Sequence, residues 1–188
     1  MEDVGALRSL RDRPYELLRE LDRRARAAAQ GKPDAAASGA EWVGIAFRLG
    51  GEAFLLAREE TREVMGYPAA VTRVPGAKNW VRGLSNVRGQ LLPLIDVRAF
   101  LGSGGTNVSR ATRVLVANHR EIPAGLVVDE VMGFRRFYES EFSADLPPTL
   151  LRCEHYLAGA FKRGAEVWPV FSVRGLLESQ QFLQAAAS

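Results

Sequence analysis

Short apolar runs separated by glycine and polar turns dominate the chain from Trp42 onward. The runs VGIAFRL and EAFLLA flank Gly50-Gly51, and the runs RVLVA and AGLVVDEV flank residues 118–121. Apolar runs of this length on either side of a short glycine-containing or polar turn are typical of β-hairpins. The pattern therefore predicts two hairpins within a mainly β protein.

The chain before this region follows a helical pattern instead. Pro14 opens a stretch in which leucines and alanines recur every three or four residues, and Gly31 follows that stretch. Residues 32–40 (KPDAAASGA) are small and polar and include a proline, which is typical of a linker. We therefore expect an amphipathic N-terminal helix and a linker over residues 1–40.

The remaining chain divides into a folded domain over residues 41–178 and a tail over residues 179–188. Leu176, Leu177 and Phe182 can share one face of a helix because of their spacing. This spacing predicts a short helix near the C-terminus.

Two blocks of the folded domain recur along the chain. Residues 63–67 (EVMGY) match residues 130–134 (EVMGF) at an offset of 67. Nine positions between Trp80 and Leu101 are matched by identical or similar residues at a constant offset of 76. Self-similarity of this kind indicates an internal duplication.

The duplication divides the domain into halves of about residues 42–102 and 112–178, and it predicts two small β-barrels related by a pseudo-twofold axis. Each half ends in a nearly apolar strand, LLPLIDV or VWPVFSV, which is typical of burial on both faces. Proline removes a ladder hydrogen bond, so we expect a strand edge or a bulge at Pro93 and Pro169.

Composition narrows the class of protein. The 25 basic and 22 acidic residues give a net charge of only +3, and the charges are mixed along the chain, which argues against nucleic-acid binding. The charged N-terminal residues leave no room for a signal peptide, and no apolar run reaches 18 residues. We therefore expect a cytoplasmic protein without direct membrane insertion.

Candidate catalytic chemistry is sparse. Cys153 and His155 form the only local pair that resembles a nucleophile and its base, and adding His119 gives too few ligands for a metal site. No phosphate-binding glycine loop occurs. We expect no catalytic residue, no metal site and no cofactor. A thiol-dependent enzyme that uses Cys153, and a nucleic-acid-binding pair of small barrels, remain alternatives.

The segment at residues 80–98 carries the most distinctive pattern. Its glycines, asparagine and arginine predict a tight turn before an apolar strand. Arg88 aligns with Gly164 in the second half, so the barrel architecture itself does not require an arginine there. We expect Arg88 to be presented at a groove and to pair with the carboxylate of Glu63.

Residues 81–98 resemble the signature strand of the CheW-like family of bacterial chemotaxis coupling proteins, I-x-G-x-x-N-[LV]-R-G-x-[IL]-[VL]-P-[IVL]-[IV]-D-[LV]-R. The resemblance extends over about residues 41–178. The arginine-rich N-terminal segment and the stretches at 75–83, 128–131 and 168–172 are similar to the PilI branch, the adaptors of type IV pilus chemosensory systems. The N-terminal extension, Ser85 and Arg135-Arg136 depart from the general chemotaxis pattern.

The resemblance implies a fold of two five-stranded barrels with a hydrophobic groove between them, and a non-enzymatic adaptor at receptor arrays on the inner membrane face. It implies two partners, the cytoplasmic tip of a methyl-accepting chemoreceptor and the regulatory domain of a CheA-type histidine kinase. The pathway implied is type IV pilus twitching motility, with a flagellar coupling protein as the alternative. The predicted partner-binding residues are Arg88, Glu63, Gly83, Asn86, Val87 and Gly89.

Overall fold

The computed structural model describes residues 40–185, which form two β-sheets and a few short helices. The strands are β1 Glu41–Leu49, β2 Glu52–Ala57, β3 Thr61–Gly66, β4 Val81–Val87, β5 Gln90–Asp96, β6 Arg113–Ala117, β7 Gly125–Val128, β8 Glu130–Tyr138, β9 Phe142–Ser143, β10 Leu157–Arg163 and β11 Glu166–Phe171. The helices are α1 Val97–Phe100, α2 Val173–Leu177 and α3 Gln180–Leu183, with 3₁₀ turns at Arg58–Glu60, Glu139–Glu141 and Glu154–Tyr156. The predicted N-terminal helix and nearly all of its linker lie outside the described residues.

The strands form a six-stranded sheet with the order β8-β1-β2-β11-β10-β9 and a five-stranded sheet with the order β3-β6-β7-β5-β4. This confirms the mainly β fold, and both predicted hairpins are present as the antiparallel pairs β1/β2 and β6/β7. The run AGLVVDEV forms parts of two strands, β7 and β8, and not the single strand that the hairpin pattern predicts. It divides at Asp129, whose backbone N–H donates to the carbonyl of Arg48, and the chain then enters the other sheet.

The two halves of the duplication are interleaved rather than folded side by side. By the sequence repeat, β1 to β5 correspond to β6, β7, β8, β10 and β11. Replacing each strand of the five-stranded sheet by its counterpart gives β8-β1-β2-β11-β10, which is the order of the other sheet. Each sheet therefore combines the hairpin of one half with three strands of the other half, and the six-stranded sheet contains β9 in addition.

The sixth strand, β9, also has a counterpart. Ser143 in β9 pairs with Ala160, and Thr72 forms an isolated bridge to Leu84, which is the residue equivalent to Ala160. In the five-stranded barrel this contact involves the single residue Thr72. In the six-stranded barrel the corresponding segment forms the short strand β9. This explains the difference between the observed six strands and the expected five.

Glycine permits that contact in both barrels. Gly83 and Gly159 are equivalent in the repeat and have φ angles of 141° and 144°. A Cβ on Gly83 would collide with the carbonyl oxygen of Thr72, and one on Gly159 would collide with Phe142 and Ser143. The glycines are therefore required where the extra segment closes against the strand.

Both prolines lie where their strands are locally at an edge, as predicted. Pro93 pairs with Leu84 on one side, and the parallel ladder to β7 begins only at Leu94. Pro169 pairs with Ala160 in the same way, next to a single parallel pair between β11 and β2. The missing N–H of each proline therefore removes no ladder bond to the parallel neighbour.

The main core lies between the two sheets, and each barrel adds a smaller core of its own. Phe47, Phe54 and Phe171 pack in the main core with ring centroids 5.8 to 6.3 Å apart. Ala46 and Leu55 are neighbours of these residues in the strands, but they face the core of the six-stranded barrel. Because successive side chains of a strand point to opposite faces, β1 and β2 each contribute residues to the main core and to the core of the six-stranded barrel.

The predicted C-terminal helix is present as two short helices, α2 and α3, interrupted at Glu178 and Ser179. Leu176, Leu177 and Phe182 are all buried, and the ring of Phe182 stacks 5.4 Å from that of Trp80. No helix within residues 40–185 is long and apolar enough to cross a membrane.

Candidate functional site

Arg88 forms an ion pair with Glu63. Its Nη2 atom lies 3.0 Å from Oε2 of Glu63, and the two side chains are 81% and 25% exposed. The predicted pair is therefore present. An ion pair this exposed contributes little to folding stability, so stability alone does not account for the arginine. Most of the guanidinium group remains accessible to another molecule.

A two-residue turn between β4 and β5 presents Arg88. Arg88 and Gly89 have φ angles of 53° and 82°, as a type I′ turn requires at both central positions. The equivalent turn of the second half uses Gly164 with a φ angle of 61°. An arginine thus occupies a left-handed conformation that costs about 1 to 2 kcal/mol for a residue with a Cβ atom.

The neighbours of Arg88 stabilise this turn. The Oδ1 atom of Asn86 accepts a hydrogen bond of 2.8 Å from the backbone N–H of Gly89. Val87 packs against the core of the five-stranded barrel. Asn86, Val87 and Gly89 thus stabilise the turn that holds Arg88, and their role in partner binding stays a prediction. Gly83 is different, because it is buried at the other end of β4 and makes room for Thr72.

The equivalent acid of the other half has a different positively charged partner. Glu130 lies opposite Arg48 in the β1/β8 pair, and the two side chains approach to 3.5 Å. Glu63 is the equivalent acid, but it lies opposite Val116. Arg88 therefore supplies from the turn the positive charge that Arg48 supplies across the strands in the other barrel.

Arg88 and Glu63 line a groove of about 610 Å³ at the end of the five-stranded barrel, which we name the Arg88 groove. Leu91 contributes an apolar side chain that is 67% exposed. The groove is lined by Arg62, Glu63, Val87, Arg88, Gln90, Leu91, Leu92, Val116, Ala117, His119, Arg120 and Pro123. The sequence analysis missed Arg62, Leu91 and Arg120. The sequence did offer a signal for Leu91, since it lies within the motif of residues 81–98 and its repeat counterpart Val167 is also aliphatic.

One wall of this groove is the loop at residues 118–123. The Nδ1 atom of His119 accepts a hydrogen bond of 3.1 Å from the backbone N–H of Ile122, and its Nε2 atom lies 3.3 Å from Glu178. The backbone N–H of Asn118 donates to the carbonyl of Glu60. The loop is thus fixed at both ends. Residues 40–185 contain no cluster of three or more side chains suited to a metal ion.

A second groove of about 540 Å³ lies at the seam between the barrels, and we name it the seam groove. The edge strands β3 and β8, which are equivalent in the repeat, form its two sides. Phe134 on β8 is 61% exposed and Val64 on β3 is 39% exposed. Arg62 and Glu63 belong to both grooves, so the two surfaces meet along β3.

Cys153 gives no support to thiol chemistry. The residue is fully buried, and its backbone N–H donates to Oγ1 of Thr149. Burial raises the pKa of the Cys153 thiol, which opposes formation of the thiolate. The ring of His155 packs against Tyr156 instead of contacting the sulfur atom.

Comparison with known proteins gives consistent matches. The model of the CheW-like domain family matches residues 43–181. The chain is 40% identical to Protein PilI of Pseudomonas aeruginosa over 92% of this chain and 96% of that protein. It is 26% identical to the chemotaxis protein CheW of Klebsiella aerogenes over 73% of this chain and 82% of that protein. The crystal structure of the scaffolding protein TtCheW from Thermoanaerobacter tengcongensis superposes with a TM-score of 0.66 at 22% identity, covering 76% of this chain and 96% of that one.

Proposed function

The chain belongs to the CheW-like family, and from that membership we propose that it is a non-enzymatic adaptor between a methyl-accepting chemoreceptor and a CheA-type histidine kinase. The observation that carries the proposal is the conformation of Arg88. An exposed arginine occupies a left-handed turn position for which the second half of the same chain uses glycine. Residues in such conformations cluster at functional sites, and within residues 40–185 Arg88, unlike Arg152 with its φ angle of 50°, also lines a groove and pairs with an acid.

The Arg88 groove supplies one docking surface. It combines an exposed apolar side chain, Leu91, with the guanidinium of Arg88. A rigid turn loses little conformational entropy when a partner binds, which favours recognition. We assign this surface to the regulatory domain of the kinase.

The seam groove supplies the second surface. Phe134 and Val64 expose apolar area on either side of it. A groove with apolar walls suits an amphipathic helix that inserts side chains at positions i, i+3, i+4 and i+7. We assign this surface to the helical cytoplasmic tip of the receptor.

The two grooves share Arg62 and Glu63 on strand β3. A receptor that shifts β3 would therefore alter the ion pair at the kinase surface. Coupling of about 1 to 3 kcal/mol between the two sites is enough to change kinase activity.

The pathway we propose is control of type IV pilus twitching motility, at cytoplasmic receptor arrays on the inner membrane face. The 40% identity to Protein PilI, which extends over 92% of this chain, supports that pathway. A flagellar coupling protein is the alternative, supported by the weaker match to the CheW of Klebsiella aerogenes.

Binding measurements with an Arg88→Glu variant test the proposal. The variant should fold normally and bind the kinase regulatory domain more weakly, because it reverses the charge beside Glu63 and removes the exposed guanidinium. Arg152→Glu is the matched control, since Arg152 is the other exposed arginine with a positive φ angle and lines neither groove. Failure of the folded wild-type chain to bind either the kinase domain or the receptor tip would overturn the adaptor function.

A further inference from the structure

The rim of the Arg88 groove is strongly cationic. Arg62, Arg88 and Arg120 face one acid, Glu63, and that acid is paired with Arg88. Within residues 40–185, neither Arg62 nor Arg120 has a carboxylate within 4.0 Å. Two exposed guanidinium groups on the rim therefore remain without a balancing charge in the described part of the chain.

The floor of the same groove is apolar. Leu91, which is 67% exposed, lines the groove together with the arginines, and Val87, Leu92 and Pro123 add further apolar side chains. An apolar floor gains free energy only from a ligand that brings apolar area of its own. A polyphosphate or a nucleic-acid backbone would leave Leu91 uncovered and would bring its phosphates next to the carboxylate of Glu63.

We propose that the Arg88 groove binds a protein segment in which an apolar side chain is flanked by aspartate or glutamate residues. The apolar side chain covers Leu91, and the flanking carboxylates pair with Arg62 and Arg120. This inference rests on the proposed function, because the segment belongs to the kinase regulatory domain to which that function assigns the groove. It adds that the partner surface is apolar with flanking acidic residues, and it assigns Arg62 and Arg120 as two further binding residues.

Charge reversal tests this assignment. The affinity of the full chain for the kinase regulatory domain, and separately for the receptor signalling domain, would be measured by calorimetry at low and at high salt. We expect an R62E/R120E variant to bind the kinase regulatory domain, to which this groove is assigned, about tenfold or more weakly at low salt. Raising the salt concentration should weaken wild-type binding and should affect the variant much less.

Two further variants separate charge from folding and from net charge. R62Q/R120Q removes both charges without reversing them, so its loss of affinity should be smaller and in the same direction. R110E/R152E changes the net charge by the same amount as R62E/R120E, but both arginines are exposed outside the two grooves. This control should bind as the wild type does.

The outcomes are distinguishable. If R62E/R120E binds the kinase regulatory domain with wild-type affinity while Arg88→Glu does not, the acidic-segment inference is wrong and the adaptor function stands. If the wild type binds neither domain, both are wrong. If R62E/R120E abolishes binding of a single-stranded oligonucleotide but leaves domain binding intact, the groove recognises nucleic acid and the inference is overturned.

Discussion

Arg88 has a φ angle of 53° at the same place in its turn where Gly164 has a φ angle of 61°. The two residues are 76 positions apart and equivalent in the internal repeat. Both turns therefore place a residue with a positive φ angle at this position, glycine in one half and arginine in the other.

Replacing Arg88 with glycine should separate stability from binding. The change relieves a backbone strain of about 1 to 2 kcal/mol. Part of this gain is offset, because the surface ion pair is lost and glycine raises the conformational entropy of the unfolded chain. We expect the free energy of unfolding to stay the same or to rise by up to about 1 kcal/mol, while affinity for the kinase domain falls. Denaturant unfolding and calorimetry measure the two quantities.

Arg152→Gly is the control for that experiment, because Arg152 has a φ angle of 50°. It should change stability in the same direction and leave binding unchanged. A decrease of more than about 1 kcal/mol in the stability of Arg88→Gly would contradict the strain argument.

Asn86 is predicted to act on binding through the conformation of the turn. Asn86→Ala removes the acceptor for the Gly89 N–H and should cost about 1 kcal/mol of stability, with faster hydrogen exchange at the Gly89 amide. Asn86→Asp keeps an acceptor oxygen and should restore both the protection and most of the affinity. If Asn86→Ala lost affinity without any change at the Gly89 amide, Asn86 would contact the partner directly.

Local patterns in the sequence predict a large part of this architecture. The hairpins and the duplication follow from residue types and from constant offsets, and the pairing of Glu63 with Arg88 follows from the resemblance to the CheW-like family. The interleaving of the two halves does not, because hydrophobic alternation specifies a strand and not its neighbour. Similarly, the pairing of Glu130 with Arg48 depends on strand register, which no offset reveals.

The residues of the candidate site also divide into those that the local sequence identifies and those that only the tertiary structure brings together. Asn86, Val87, Arg88 and Gly89 are consecutive, so a motif could identify them together. Leu91 belongs to the same motif, whereas Arg62 and Arg120 join these residues only through tertiary structure, since they come from two other segments of the chain. Gly83 illustrates the opposite case, because it belongs to the motif while its contact with Thr72 is architectural.

Gly83→Ala should therefore destabilise the fold strongly. The new Cβ would meet the carbonyl oxygen of Thr72, and the φ angle of 141° disfavours any residue with a side chain. We expect a loss of about 2 kcal/mol or more in denaturant unfolding. Gly66→Ala is the control, because a Cβ there meets no atom within 4 Å. Equal stability of the two variants would show that the Thr72 segment moves away freely.

The pair formed by Glu141 and Arg163 predicts a dependence of stability on pH. Two bonds of 2.6 and 2.7 Å join them, and the Arg163 side chain lowers the pKa of Glu141 below its usual value of 4.5. A carboxyl group with a lowered pKa contributes stability above its unfolded pKa, and this contribution is lost as the pH falls through the folded pKa. Stability should therefore decrease below about pH 4.5.

An Arg163→Gln variant should show a shallower decrease over the same acid range, when both proteins are unfolded by denaturant at a series of pH values. The variant should also be less stable at neutral pH, because Arg163 packs 4.5 Å from the centre of the Phe137 ring. Identical slopes of stability against pH for the two proteins would exclude Glu141 as a source of the acid sensitivity.

Phe134→Ser should weaken binding of the receptor tip and leave the fold intact. Because 61% of Phe134 is exposed, the substitution removes little packing from the folded chain. In a complex the ring would be buried, which is worth about 1.5 to 3 kcal/mol, or roughly a ten- to hundredfold change in affinity.

Leu150→Ser is the control, since Leu150 is 80% exposed and lines neither groove. Kinase-domain binding should survive both changes, because Phe134 lines only the seam groove of the two. If Phe134→Ser instead weakened kinase binding and spared the receptor tip, the assignment of the two grooves would have to be exchanged.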